Sequence, residues 1–329
     1  MRSAAEMRSK LAHSFRLPFA GAALGLALGS CSSSSALDTA APLPSVACSA
    51  KLTDEFRTAE LDVVLGDRTV PVTIFYPAQP GRYPLIGFSH GAFAAPDRYS
   101  AMLGPLAAGG FVVVAPMHID SEEMQHEENA SSEELWATRN ADMRMVFAVP
   151  GDVRATLTPA LVEIDASRAI ALGHSFGTMM SYFAGGATLL SKSGEPQDLR
   201  AENVAGVVAF SPPPPLPGTF GPEAWSTLAV PSLTLTGDAD VLPGFIDEWT
   251  MHLASFENAP AGTAELWTGE GVNHYFGGMF GRPKPADDAS RLMFDRAMAQ
   301  TLGFIERTLN HPQPCEPGQP VSGEKYASN

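Results

Sequence analysis

Short apolar runs recur along most of the chain, and the segments between them alternate between tight turns and stretches long enough for a helix. Leu61 to Leu65 and Val70 to Tyr76 flank Gly66-Asp67-Arg68, the punctuation of a β-hairpin. Pro84 to Phe88 reads as a third strand, and a helix from Asp97 to Ala108 stops at Gly109-Gly110. Phe111-Val112-Val113-Val114-Ala115 is a fourth strand, whose unbroken apolar run suits a parallel strand covered on both faces. Beyond an acidic stretch, Ser121 to Glu134, helical composition lies within Arg139 to Leu157. Ala169 to Leu172, Val204 to Phe210, Ser232 to Thr236 and Ala264 to Trp267 supply four more strands, with helices expected over Pro243 to Phe256 and Asp287 to Leu309. The class is α/β: a three-layer sandwich of about eight mostly parallel strands with helices on both faces. No internal repeat breaks this order.

The fifth strand runs straight into Gly173-His174-Ser175-Phe176-Gly177, and Thr178 to Ala184 then has helix-compatible composition. A serine at a sharp strand-to-helix turn has its hydroxyl lifted clear of the sheet, and small flanks are needed because a side chain there would strike neighbouring backbone. The turn is built to present a nucleophile.

With 45% apolar and 17% charged residues, the 329-residue chain is globular and long enough for one large domain. The first thirty residues stand apart. Arg2, Arg8, Lys10 and Arg16 precede an apolar run from Leu17 to Leu28, too short to span a bilayer but of secretory-signal length; Met7 is a second possible start. Leu28-Gly29-Ser30-Cys31 resembles the lipobox of bacterial lipoproteins, which implies cleavage before Cys31 and its acylation; an ordinary signal peptide is the alternative. The expected organisation is a signal peptide (1–30), a tether (31–50), the main domain (51–310) and a Pro-rich C-terminal tail (311–329). The implied location is the cell envelope, periplasmic or surface-facing, with membrane contact through the acyl anchor. Four basic residues and one acidic residue leave with the leader, taking the formal charge from −15 to −18, which disfavours nucleic acid and anionic lipid surfaces as partners. Export permits a disulfide, and Cys48 and Cys315 lie at opposite ends of the globule, where termini are often close; their bridge would clamp the tail, the alternative being two free thiols.

The strand order, together with Phe88-Ser89-His90-Gly91-Ala92-Phe93, Leu106 to Ala115, and Ile164-Asp165 running on to Gly173-His174-Ser175-Phe176-Gly177, resembles the α/β-hydrolase superfamily over roughly residues 55 to 310. The likeness is closest to the group of platelet-activating-factor acetylhydrolases, dienelactone hydrolases and cutinase-like polyester hydrolases. It implies a Ser, acid, His chain order. His252, His274 and His311 follow Ser175; His252 falls inside a predicted helix and His311 in the tail, so His274, in the loop past the eighth strand, is the expected base. The related enzymes place their acid three residues past the glycine that ends the seventh strand, which selects Asp240, with Asp238 as the other possibility. The acetylhydrolases carry theirs after the sixth strand, where this chain has Phe210-Ser211-Pro212-Pro213 and no carboxylate.

The same resemblance assigns the oxyanion hole to the amides of Phe176 and Ala92, with His90 ordering the loop and His174 buried behind the elbow. The expected activity is hydrolysis of a small-molecule or lipid-like carboxylic ester through Ser175, His274 and Asp240, with no metal or organic cofactor. Acyl transfer to an alcohol or peroxide by the same triad, and a non-catalytic binding lipoprotein, are the alternatives. His118-Ile119-Asp120 and His126-Glu127-Glu128 lack metal-ligand spacing and are expected to be a solvated acidic loop. Pro212 to Pro215 should be a stiff extended rim, and Phe93, Met117, Met179, Phe220, Tyr275 and Phe276 are expected to line an apolar cleft.

Overall fold

The computed structural model describes residues 47–52, 55–124, 131–191, 193–216, 219–282, 284–312 and 314–329. The leader, residues 31–46 of the expected tether with Cys31, and His126-Glu127-Glu128 lie outside the described residues, while the last tether residues start a helical turn at Cys48.

Strands β1 (Phe56–Leu65) and β2 (Arg68–Pro77) form the hairpin, with Gly66 at φ 66° in its turn. After them come β3 (Gly81–Ser89), β4 (Val112–Pro116), β5 (Val162–His174), a short ribbon of β6 (Leu189–Leu190) and β7 (Pro196–Gln197), then β8 (Val204–Phe210), β9 (Ser232–Ala239), β10 (Ala264–Asn273) and β11 (Glu324–Ser328). The main sheet has the order β1-β2-β4-β3-β5-β8-β9-β10-β11. From β4 through β10 neighbouring strands run parallel, while β1, β2 and β11 are antiparallel to their neighbours.

Besides α1, a single turn at Cys48–Lys51, the helices are α2 (Ser100–Ala108), α3 (Ser132–Ala148), α4 (Gly151–Leu157), α5 (Gly177–Ala184), α6 (Ala254–Asn258) and α7 (Asp288–Thr308). Strand alternation makes β3 a clear divider of the layers. Ile86 and Phe88 join Ile170, Leu172, Val208, Phe210, Leu233 and Leu235 in an apolar layer under Met102 and Leu106 of α2 and Phe294 and Leu302 of α7. Between them Gly87 faces the other way, where a Cβ would come within 2.7 Å of Phe147 on α3. The sandwich therefore has three layers.

Three departures from the sequence reading have local causes. The stretch from Pro243 is not helical until Trp249, because Pro243-Gly244 makes a turn: Gly244 sits at φ 86° and its amide bonds the Asp247 carboxylate. Helix formation within Arg139 to Leu157 is interrupted at Val149 (φ 50°) and Pro150, and the first helix begins earlier, capped by the Ser131 side chain on the Glu134 amide. Residues 311–329 are part of the globule. The bridge expected from the sequence joins Cys315 to Cys48; what the sequence reading lacks is that the Glu324 side chain is buried against Trp267 and Arg296 and that β11 adds an edge strand to β10.

Candidate functional site

At the carboxyl end of β5 the chain turns so sharply that Ser175 adopts φ 53°, a left-handed conformation costing about 1–2 kcal/mol for a residue with a Cβ. The surrounding backbone holds it there. A Cβ on Gly173 would lie 2.6 Å from the Gly177 carbonyl, and one on Gly177 would lie 2.0 Å from the Ser89 oxygen, so α5 can start directly against β3 only because both positions are glycine. The Ser175 amide bonds the Phe210 carbonyl at 2.8 Å, tying the turn to β8.

The loop after β10 brings His274 to this serine, with Nε2 2.9 Å from Ser175 Oγ. His274 Nδ1 lies 2.8 Å from Oδ1 of Asp240, in the turn after β9. Three residues 99 and 34 positions apart thus form one line of hydrogen bonds. Asp240 is fully buried; desolvation alone would raise its carboxyl, but the imidazoles of His274 and His252 outweigh it and hold it well below the usual carboxylate range. Asp238 goes elsewhere: it is exposed and accepts the Gly271 amide in the turn of β10.

Behind the serine a second chain of hydrogen bonds links the β3 loop to the histidine. The Gly91 amide donates to Tyr99 Oη at 3.0 Å, the phenol donates to His174 Nδ1 at 2.9 Å, and His174 Nε2 donates to the His274 carbonyl at 2.8 Å. Burial keeps His174 neutral, as this pattern requires. A Cβ on Gly91 would stand 3.0 Å from His174 Nδ1 and 3.4 Å from the Ser175 Cβ, so this loop approaches the elbow closely. Because Tyr99 occupies the Gly91 amide, the next free donors are the amides of Ala92 and Phe176, neither of which bonds an acceptor among the described residues.

What holds the Ala92 turn was not legible in the sequence. His118 is completely enclosed and the Asp120 side chain is only 8% exposed, so His118-Ile119-Asp120 is not a solvated loop. Asp120 accepts Arg139 Nε and Nη2, both at 2.8 Å, and the Phe93 amide at 3.2 Å. Arg139, fully buried on α3, also donates to the carbonyls of His90 (2.7 Å) and Gly91 (3.3 Å). Burial disfavours a charged Asp120, but the guanidinium more than compensates and its carboxyl is held well below the usual range. His90 Nε2 accepts the His118 amide at 2.9 Å, consistent with its loop-ordering part. Deeper still, Ser89 Oγ, His118 Nε2, His118 Nδ1 and Asp142 Oδ2 make successive 2.8 Å bonds, a sealed set with no exposure to substrate.

The expected cleft lining divides. Phe93, Met117 and Tyr275 are half-buried, whereas Met179 on α5, Phe220 against Trp136, and Phe276 against Phe210, Trp267 and Phe280 are core residues. The Pro212 to Pro215 segment belongs to no helix or strand and is mostly buried instead of forming a rim, and the Pro212 carbonyl meets His252 Nδ1 at 2.5 Å. His252, set aside as the base because of its predicted helix, nonetheless reaches the acid. Its Nε2 lies 2.9 Å from Asp240 Oδ1. Asp240, His252 and His274 are the described residues with ligating atoms close enough, within 4.8 Å, for a metal; all three are spent on the hydrogen bonds given above.

A family model described as chlorophyllase matches residues 51–193, the segment that carries the Ala92 loop and the serine elbow. A dienelactone hydrolase structure from Klebsiella pneumoniae subsp. pneumoniae MGH 78578 aligns at 14% identity and a TM-score of 0.50, over 75% of this chain and 98% of its own. The chain has the α/β-hydrolase fold. A dienelactone hydrolase from Anabaena variabilis ATCC 29413 aligns at 17% identity and a TM-score of 0.48, over 74% of this chain and 96% of its own. No curated protein matches by sequence. On this hydrolase fold, the serine, the acid and the histidine stand at the carboxyl ends of β5, β9 and β10, where such sheets carry their sites. Among the described residues, no helix is long and apolar enough to cross a membrane.

Proposed function

We propose that this protein is a serine hydrolase that cleaves carboxylic esters, with Ser175 as nucleophile, His274 as base and Asp240 as the group that orients the base. One observation carries the reading: the unbroken bonding from Ser175 Oγ through both nitrogens of His274 to a buried Asp240, at 2.9 and 2.8 Å, on a strained turn. A serine hydroxyl is a weak nucleophile at neutral pH, so it needs a base in hydrogen-bond contact and an anion to fix that base's tautomer. With Nδ1–H donated to Asp240, the lone pair on Nε2 faces the hydroxyl.

Attack forms the bond between Ser175 Oγ and the acyl carbon while His274 takes the serine proton. The amides of Ala92 and Phe176 donate to the developing oxyanion, a contribution of about 10²–10³ in rate for each donor. The tetrahedral adduct expels the alcohol, which receives the proton from His274. Water, deprotonated by the same imidazole, then releases the acid and restores Ser175. The match to the chlorophyllase family model over residues 51–193 supports a hydrolase of this general type. The reading includes export, cleavage before Cys31 and anchoring by acyl chains on that cysteine, which lies outside the described residues.

A panel of p-nitrophenyl esters of increasing acyl length tests the substrate class. Turnover that peaks at one chain length and vanishes in a folded Ser175→Ala variant supports an esterase; no turnover of any member by the intact protein overturns it.

A further inference from the structure

The Asp240 carboxylate has four polar partners, three by hydrogen bond and one by charge. Oδ1 accepts from His274 Nδ1 (2.8 Å) and lies 2.9 Å from His252 Nε2 in an ion-pair contact; Oδ2 accepts from Ser211 Oγ (2.6 Å) and Thr236 Oγ1 (2.8 Å). Ser211 stands at the end of β8, so its hydroxyl reaches the acid from the strand where the acetylhydrolase pattern would have put a carboxylate. His252, wholly enclosed, is the second histidine on the acid.

Its surroundings fix its charge. Nδ1 faces the Pro212 carbonyl at 2.5 Å, while Nε2 faces both the Asp240 carboxylate at 2.9 Å and the Asp240 carbonyl at 3.1 Å. A neutral imidazole has one N–H and one lone pair. Here every partner is an oxygen without a hydrogen to give, so either neutral tautomer would aim a lone pair at a carbonyl or at a carboxylate. Turning the ring over would set carbon against both. Only the doubly protonated ring satisfies the site. Burial alone works against that charge, but the Asp240 carboxylate outweighs it and lifts His252 above its ordinary value.

We propose that His252 is a positioning residue, a standing imidazolium that pins Asp240 from behind and shares its negative charge with the catalytic His274. The proposal rests on the esterase reading for its kinetic consequence. The His252 and His274 rings are 6.0 Å apart and inclined by 27°, both on one oxygen of Asp240. A cation in that place repels a second positive charge arising on His274, which shares the same carboxylate oxygen. The other groups around the pair leave the cation alone. His174 is kept neutral by burial, burial pushes the Tyr275 phenol up, and Arg282 lies beyond Tyr275, 5.8 Å from its ring centre. Glu248, at the start of the turn that carries His252, is exposed.

Two measurements test the assignment. In 15N-histidine-labelled full-length protein at pH 7.5, both ring nitrogens of His252 should carry hydrogen; a neutral tautomer there overturns the proposal whether or not the protein is an esterase. In His252→Gln, which can still donate to Asp240 but carries no charge, the acid limb of the kcat/KM profile should move up by about one pH unit. A limb that stays in place or moves down while only the plateau falls would assign His252 a purely structural part. Should His252→Gln fail to fold, the nitrogen spectrum of the unsubstituted protein still decides.

Discussion

The guanidinium of Arg139 lies 4.8 Å from the centre of the Phe176 ring while two of its nitrogens bond the carbonyls of His90 and Gly91. One buried cation therefore touches both residues whose neighbourhood supplies the proposed oxyanion donors: the peptide units beside Ala92, and Phe176 itself. Asp120 closes the loop by taking the other side of the guanidinium and the Phe93 amide.

Arg139→Met should lower kcat with a smaller effect on KM, because the acyl carbonyl would still bind but its developing charge would meet misplaced amides. A displacement on the scale of 1 Å costs about 10²-fold. The variant should also lose about 3–5 kcal/mol of stability, since Asp120 is left buried and unpaired. Steady-state kinetics beside urea unfolding separates the two effects; a rise in KM at constant kcat would show that the clamp serves substrate binding instead.

Asp240→Asn should cost about 10⁴-fold in kcat, because an amide favours the wrong tautomer of His274. Asp238→Asn should change kcat little, since that exposed side chain only bonds the Gly271 amide. The two variants assayed side by side on one p-nitrophenyl ester decide the assignment, and a crippled Asp238→Asn would reverse it.

The Cys48–Cys315 disulfide closes a loop of 267 residues, and breaking a bond of this kind in a folded chain costs about 2–5 kcal/mol. Reduction, or Cys315→Ser, should lower the unfolding midpoint while leaving the elbow geometry and ester turnover intact below it. Urea titrations with and without reductant measure the difference; equal midpoints would mean that the pairing of β11 with β10 holds the tail unaided.

The parts of this molecule legible in the sequence are those fixed by neighbours along the chain. Val112 to Ala115 could only be a covered strand, and Gly173 to Gly177 encode their own turn because both glycines meet backbone. The resemblance to the hydrolase fold points to His274 and, with Asp238 left open, to Asp240, and the structure brings His274 and Asp240 into one line with Ser175. The residues that were missed act across long separations. His252 carries no local mark, and Pro243-Gly244 lay hidden inside what looked like a helix. Asp120 borders an acidic stretch whose composition says solvent, yet Arg139 on α3, 19 residues on, draws it inward. Glu324 to Ser328 have little strand character of their own; the pairing with Glu265 to Gly269 makes them a strand.

The most direct test of the whole account is labelling of the intact protein by an alkyl fluorophosphonate, followed by peptide mass spectrometry. One stoichiometric phosphonyl adduct is expected, on Ser175, formed rapidly at neutral pH and slowed by orders of magnitude in His274→Gln. An unlabelled Ser175 in folded protein, or labelling at the same rate without His274, would contradict it.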